Sequence, residues 1–164
     1  MSVARAGTAY KSRTFATWVA VIGGSLGLHR FYLSGLRDPW GWLFIPPTVC
    51  GLIGVQRMKV YGVDDHLAWV LIPFLGLTIA IGMLFAIVYG LTPDERWNAR
   101  YNPTGPQHQV GWAAIIGVVL ALVIGGGVLM ATLAFSAQRY FEYQAETIEP
   151  PGAGVQTNSI RPTQ

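Results

Sequence analysis

Apolar and polar positions divide this chain into four long apolar stretches separated by short polar breaks. The first covers residues 14–28 and carries no charge. At about 1.5 Å per residue it measures roughly 22 Å, short of the roughly 30 Å hydrocarbon core of a bilayer. Its strongly apolar side chains are worth only about −2 to −4 kcal/mol of insertion free energy. A helix over residues 13–28 therefore depends on its neighbour. The second stretch, residues 40–61, is expected to kink near residues 44–47, because Pro46 and Pro47 remove backbone donors and crowd the preceding turn. Asp64 or Asp65 caps the third stretch, whose residues 67–91 span a bilayer unaided. The fourth is expected over residues 110–137.

Between the third and fourth runs, Thr92-Pro93-Asp94-Glu95 reads as a new helix start, with Thr92 as cap and Pro93 at the first position. The short helix 93–101 places Trp97 and Tyr101 on one face and Arg96 and Arg100 on another, so it is expected to lie along the membrane surface. Beyond Gln138 the composition turns polar and rich in proline and glycine, and residues 139–164 are expected to form a disordered tail. The pattern thus predicts an all-α, polytopic membrane protein with about four transmembrane helices and one interfacial helix. Its parts are an N-terminal segment 1–12, a helical hairpin 13–62, a second transmembrane pair 63–138 and the tail.

Small residues recur at helical spacing and predict close helix packing: Gly23, Gly24 and Gly27 in the first run, Gly82 and Ala86 in the third, and Gly117, Ala121 and Gly125 in the fourth. The first run ends in Gly24-x-x-Gly27-x-His29-Arg30-Phe31-Tyr32-Leu33-x-Gly35. Arginine and aromatic rings there are suited to a membrane–water boundary. Preceded by Lys11-Ser12-Arg13, this signature resembles the TM2 domain, a pair of transmembrane helices joined by a short Asp/His-Arg-Phe turn. The resemblance covers about residues 11–58 and implies architecture more than activity. In it, His29, Arg30, Phe31, Tyr32 and Gly35 form the turn, a place for lipid or partner contact. Family members with an extracellular N-terminal region place this turn on the cytoplasmic side.

Composition agrees with a membrane chain: of 164 residues, 52% are hydrophobic and only 12% charged. A net charge of +3, scattered along the chain, argues against nucleic acid as a partner. The single Cys50 leaves no intrachain disulfide framework. The basic N-terminus followed by an apolar run imitates a signal peptide, but no Ala-x-Ala site follows, so a retained anchor is expected. For a four-span path, Arg5, Lys11, Arg13, Arg57, Lys59 and Arg139 lie on one side, and Arg30, Arg37, Arg96 and Arg100 on the other. That excess places both termini in the cytoplasm of a bacterial-type inner membrane.

No nucleophile elbow, phosphate loop, zinc spacing or carboxylate pair is present. His29, His66 and His108 with Asp64 and Asp65 read as loop and cap residues rather than metal ligands. No enzyme activity, metal or cofactor is expected. The expected role is a non-catalytic interaction or assembly module whose partners are the bilayer, other membrane proteins or a second copy. The alternative is a small transporter or channel subunit, for which Pro46-Pro47 and Gly125-Gly126-Gly127 would mark broken helices. The absence of ionisable residues from the interior of the four runs, Arg57 and Lys59 lying in the last turns of the second, argues against it.

Overall fold

The computed structural model describes residues 10–103 and 111–148. His108, the N-terminal residues 1–9 and the tail residues 149–164 lie outside them. Among the described residues there are seven α-helices, one 3-10 turn and no strand.

The first apolar run departs from expectation. Ser12 caps α1 (Arg13–Gly23), its hydroxyl accepting from the Phe15 amide. A 3-10 turn over Gly24–Leu26 follows, and Gly27 adopts φ 72°. Then α2 (Leu28–Ser34) runs back along α1. The Tyr32 hydroxyl accepts from the Ser12 amide at 3.0 Å, the Phe15 and Tyr32 rings lie 4.9 Å apart, and the Lys11 ammonium reaches the Leu33 carbonyl. Residues 13–28 are thus not one helix but most of a folded-back hairpin. The cause is local: left-handed backbone at Gly27 suits a residue without a Cβ, and a Cβ there would also lie 2.4 Å from the Gly41 carbonyl oxygen. With 11 residues, α1 rises only about 16 Å.

Asp38 caps α3 (Pro39–Trp42), with Pro39 in the first turn. The helix is interrupted at Leu43 and Phe44 and resumes as α4 (Ile45–Tyr61), so Pro46 and Pro47 fall in its first turn, where a missing N–H is harmless. Residues 39–61 run the length of the bundle, about 34 Å at helical rise. The central helix is α5 (His66–Leu91), started by the Asp65 cap and containing Pro73. Thr92 does not cap the next helix. Its hydroxyl donates to the Val88 carbonyl at the end of α5, and α6 (Asp94–Tyr101) begins after Pro93 without a side-chain cap. Finally, α7 (Trp112–Ile148) lies antiparallel to α5. Gly125 meets Met83, and Thr132 meets Gly76.

One further expectation is corrected. The polar segment 139–148 continues α7 as helix, supported by side-chain pairs three or four residues apart between Arg139 and Glu142, Gln138 and Glu142, and Tyr140 and Gln144. Trp97 of α6 packs inward. It is 1% exposed, and its indole N–H donates to the Lys11 carbonyl at 2.9 Å, so α6 closes one end of the bundle. Lys11 sits at that end beside Asn102. Glu146, near the end of α7, sits at the other beside His66. The two ends of the described chain therefore lie at opposite ends of the bundle, and the termini themselves lie outside the described residues.

Small residues lie at several helix contacts. Gly24 and Gly82 are in backbone contact, Gly117 lies against Thr17, and Ala86 and Ala121 are fully buried. Leu28 covers Gly23. Gly51 and Gly54, against Leu75 and Leu71, make the equivalent contacts between α4 and α5.

Candidate functional site

The signature residues cluster where α2 turns into α3, beside α6. His29 is fully buried rather than interfacial. It is enclosed by Phe85 at 4.9 Å and by Phe44 and Tyr89 at 5.7 Å, and among the described residues neither ring nitrogen has a hydrogen-bond partner. Arg30 turns outward and its Nε donates to Asp38 Oδ2 at 2.8 Å. Phe31 packs on Trp42 at 5.5 Å. Gly35 carries φ 85° and closes α2 through its amide to the Phe31 carbonyl. The Arg30 hydrogen bond holds the Asp38 carboxyl below the usual carboxylate range. Asp38 in turn accepts from the Trp40 amide at 3.1 Å, and the Trp42 indole donates to the Leu36 carbonyl at 2.9 Å.

The same device recurs 27 residues later at the other end of the bundle. Arg57, Gly62, Asp65 and Trp69 stand at the spacing of Arg30, Gly35, Asp38 and Trp42. Arg57 Nε donates to Asp65 Oδ2 at 2.8 Å, Gly62 carries φ 92°, Asp65 accepts from the Leu67 amide at 3.3 Å, and the Trp69 indole donates to the Val63 carbonyl at 2.6 Å. The Arg57 hydrogen bond likewise lowers the Asp65 carboxyl. The offset extends to Gly24 and Gly51, Gly27 and Gly54, Ile45 and Ile72, and Pro46 and Pro73. Because residues 39–61 run between them, the two corners point in opposite directions.

Each corner reverses the chain and fixes three groups at once. The glycine ends the incoming helix, the aspartate caps the outgoing one, and the arginine ties the two. The tryptophan satisfies a turn carbonyl. Sequence reading singled out Arg30 and Gly35 but missed Asp38 and Trp42 as their partners. The signal that would have found them is the repeat Arg-x4-Gly-x2-Asp-x3-Trp.

At mid-depth lies a small polar contact. The Thr48 hydroxyl donates to the Ser25 carbonyl at the hairpin tip at 2.6 Å and lies 3.2 Å from the Thr78 hydroxyl. His29 and the run Asp64 to His66 are at opposite ends and form no joint site. Among the described residues no cluster suited to a metal ion occurs. Comparison of the chain with family models, curated proteins and solved structures gave no match.

Proposed function

We propose that this chain is a multi-pass integral membrane protein acting as a non-catalytic interaction or assembly module of an inner membrane. Two helices, His66–Leu91 and Trp112–Ile148, are long and apolar enough to cross a membrane. The observation that carries the reading is that only 22% of the most apolar window of each is buried within the protein. A core helix of a water-soluble fold would hide most of that surface. Residues 39–61 make a third crossing, bounded by the two tryptophan–arginine corners, which stand about one bilayer thickness apart. The α1–α2 hairpin is then re-entrant. Irregular backbone at its tip is tolerable there because it is covered by α4 and α5. On this path Lys11, Arg13, Arg30, Arg37, Arg96 and Arg100 all lie at the α6 end, and Arg57, Lys59 and Arg139 at the other. The α6 end, with the TM2-like turn, faces the cytoplasm, and the end of α7 faces away from it.

An interaction role is supported by the outward edge of α7. Among the described residues, no atom beyond their own helix backbone lies within 4 Å of where a Cβ on Gly126 or Gly127 would stand, so a partner helix can approach closely. Single cysteines at Gly126, Met130 and Leu133 in a Cys50→Ala background test this by oxidative cross-linking in native membranes. Adducts at these three exposed positions and none at buried Ala121 are expected. Absence of adducts at all three sinks the module reading.

The corners' opposite directions and a broken hairpin meeting hydroxyls at mid-depth favour a second reading, a small transporter or channel subunit. Ion flux from pure protein in liposomes selects that reading; the interaction module gives none.

A further inference from the structure

The second corner carries a feature that the first lacks. Beside Trp69, the start of α5 and the end of α7 enclose a cleft of about 360 Å³, lined by Trp69, Val70 and Pro73 on one side and Ser136, Arg139 and Tyr140 on the other. We infer that this cleft binds an anionic phospholipid, with the headgroup phosphate on Arg139 and one acyl chain running down the α5–α7 groove. The inference rests on the membrane placement proposed above.

Arg139 differs from the corner arginines. Arg57 gives Asp65 two hydrogen bonds and Arg30 is tied to Asp38. Among the described residues Arg139 pairs only with the half-exposed Glu142 one turn along its own helix. Its guanidinium stacks 5.0 Å over the Trp69 ring and 5.4 Å from Phe135, and its Nε is buried with no acceptor among the described residues. A guanidinium has five N–H donors in a planar fork that matches phosphate. At the border of an apolar span such a group requires an acceptor, and a lipid phosphate sits at that depth. His66 stands at the rim, packed edge-on against Trp69 at 4.4 Å and Tyr143 at 5.9 Å, while its Nε2 faces Glu146 at 3.2 Å. The aromatic rings frame the headgroup level as interfacial tryptophan and tyrosine do.

Below the headgroup, Val70, Pro73, Leu77 and Leu84 form one stripe at helical spacing. A second, wholly apolar cleft of about 380 Å³ continues along it, where Leu77 and Leu84 face Leu122 and Leu129. From His66 to Leu77 the rise is about 17 Å, close to the roughly 15 Å of one leaflet. The polar mouth and apolar floor therefore match one amphiphile of membrane length.

The test is native mass spectrometry of the detergent-purified full chain, titrated with phosphatidylglycerol or phosphatidylcholine of identical acyl chains. The wild type is expected to retain phosphatidylglycerol at least about tenfold better, the worth of one charge-assisted contact. Arg139→Gln should reduce the preference to within about twofold, whereas Lys59→Gln, removing a cation at the same end outside the cleft, leaves it unchanged. Glu142→Gln, which frees Arg139 of its competitor, should raise retention about threefold. Equal retention of both lipids by the wild type overturns the inference, as does an Arg139→Gln protein that binds like the wild type. A loss in Lys59→Gln as large as in Arg139→Gln also overturns it, because general surface charge then explains the preference. Should Arg139→Gln fail to fold, lowered retention in Glu142→Gln overturns it alone. Lipid retained without headgroup preference leaves the membrane placement standing, whereas a protein that purifies in water without detergent or lipid removes both.

Discussion

Replacing Gly82 with alanine puts the α1–α2 hairpin under direct load. A Cβ on Gly82 would stand 2.7 Å from both the Cα and the carbonyl carbon of Gly24, and 3.1 Å from the Ser25 amide nitrogen. Ordinary van der Waals contact begins near 3.4 Å. The obstructing atoms are backbone, so no rotamer change relieves them, and the hairpin tip must back away from α5 by up to about 1 Å. Overpacking of this kind costs about 1–3 kcal/mol. Alanine regains about 0.5–1 kcal/mol of helix propensity over glycine. The net loss is up to about 2.5 kcal/mol, or up to about 10 °C in melting temperature for a chain of this size. Gly126→Ala is the matched control. It makes the same chemical change in the same kind of helix, with no atom within 4 Å of the new Cβ, and should melt at or slightly above the wild type. Gly24→Ala meets Gly82 Cα at 2.6 Å, so Gly24→Ala with Gly82→Ala should destabilise by less than the sum of the two. Thermal melting in one detergent reads all four proteins. A Gly82→Ala protein that melts with the Gly126→Ala control would refute the Gly24–Gly82 contact and the hairpin path built on it.

Three other outcomes follow from the same geometry. Gly27→Ala forces an L-residue to φ 72°, costing about 1–2 kcal/mol before its clash with the Gly41 carbonyl, and should expose α1 to proteolysis; an unchanged digestion pattern would count against the reversal at Gly27. Arg30→Leu leaves the nearly buried Asp38 without its partner and should lower the melting temperature more than Arg30→Lys, which keeps the charge but loses the fork; equal effects would argue against the ion pair. Because Asp38 titrates below its ordinary value, its contribution is complete above about pH 4 and is lost as pH falls through the lowered value. The melting-temperature deficit of Asp38→Asn should therefore be constant between about pH 5 and 8 and shrink only in more acidic buffer, where the wild type loses the pairing; a deficit that changes with pH near neutrality would contradict the pairing.

Several elements are legible in the residues because their causes are local. The start of α5 follows from the Asp65 cap and the uncharged run behind it. The contact glycines are visible because helical spacing puts small residues on one stripe. The fold-back at Gly27 is not, since hydropathy is blind to chain direction. The glycines that permit a turn also permit close packing, and only α5 standing at the tip decides between the two. The Arg30–Asp38 and Arg57–Asp65 ties escape helix-based reading because they cross a turn. Arg30 and His29, adjacent in sequence, separate completely: one faces outward to Asp38 and the other is sealed among rings. Trp97 reads as an interfacial residue from its neighbours, yet the Lys11 carbonyl claims its N–H. The helical state of residues 139–148 depends on side-chain pairs too weak to register in a composition shift.

The path of the chain is tested most directly by cysteine accessibility in intact cells. Single cysteines at Tyr10, Leu36, Arg96, Val63 and Glu146, in a Cys50→Ala background, are probed with a membrane-impermeant thiol reagent before and after permeabilisation. Three crossings with a re-entrant hairpin predict that Tyr10, Leu36 and Arg96 share one side, protected until the cells are opened, and that Val63 and Glu146 share the other and react at once. Tyr10 reacting with Val63 and Glu146, and apart from Leu36, would mean that residues 13–28 cross the membrane after all, and would contradict the account.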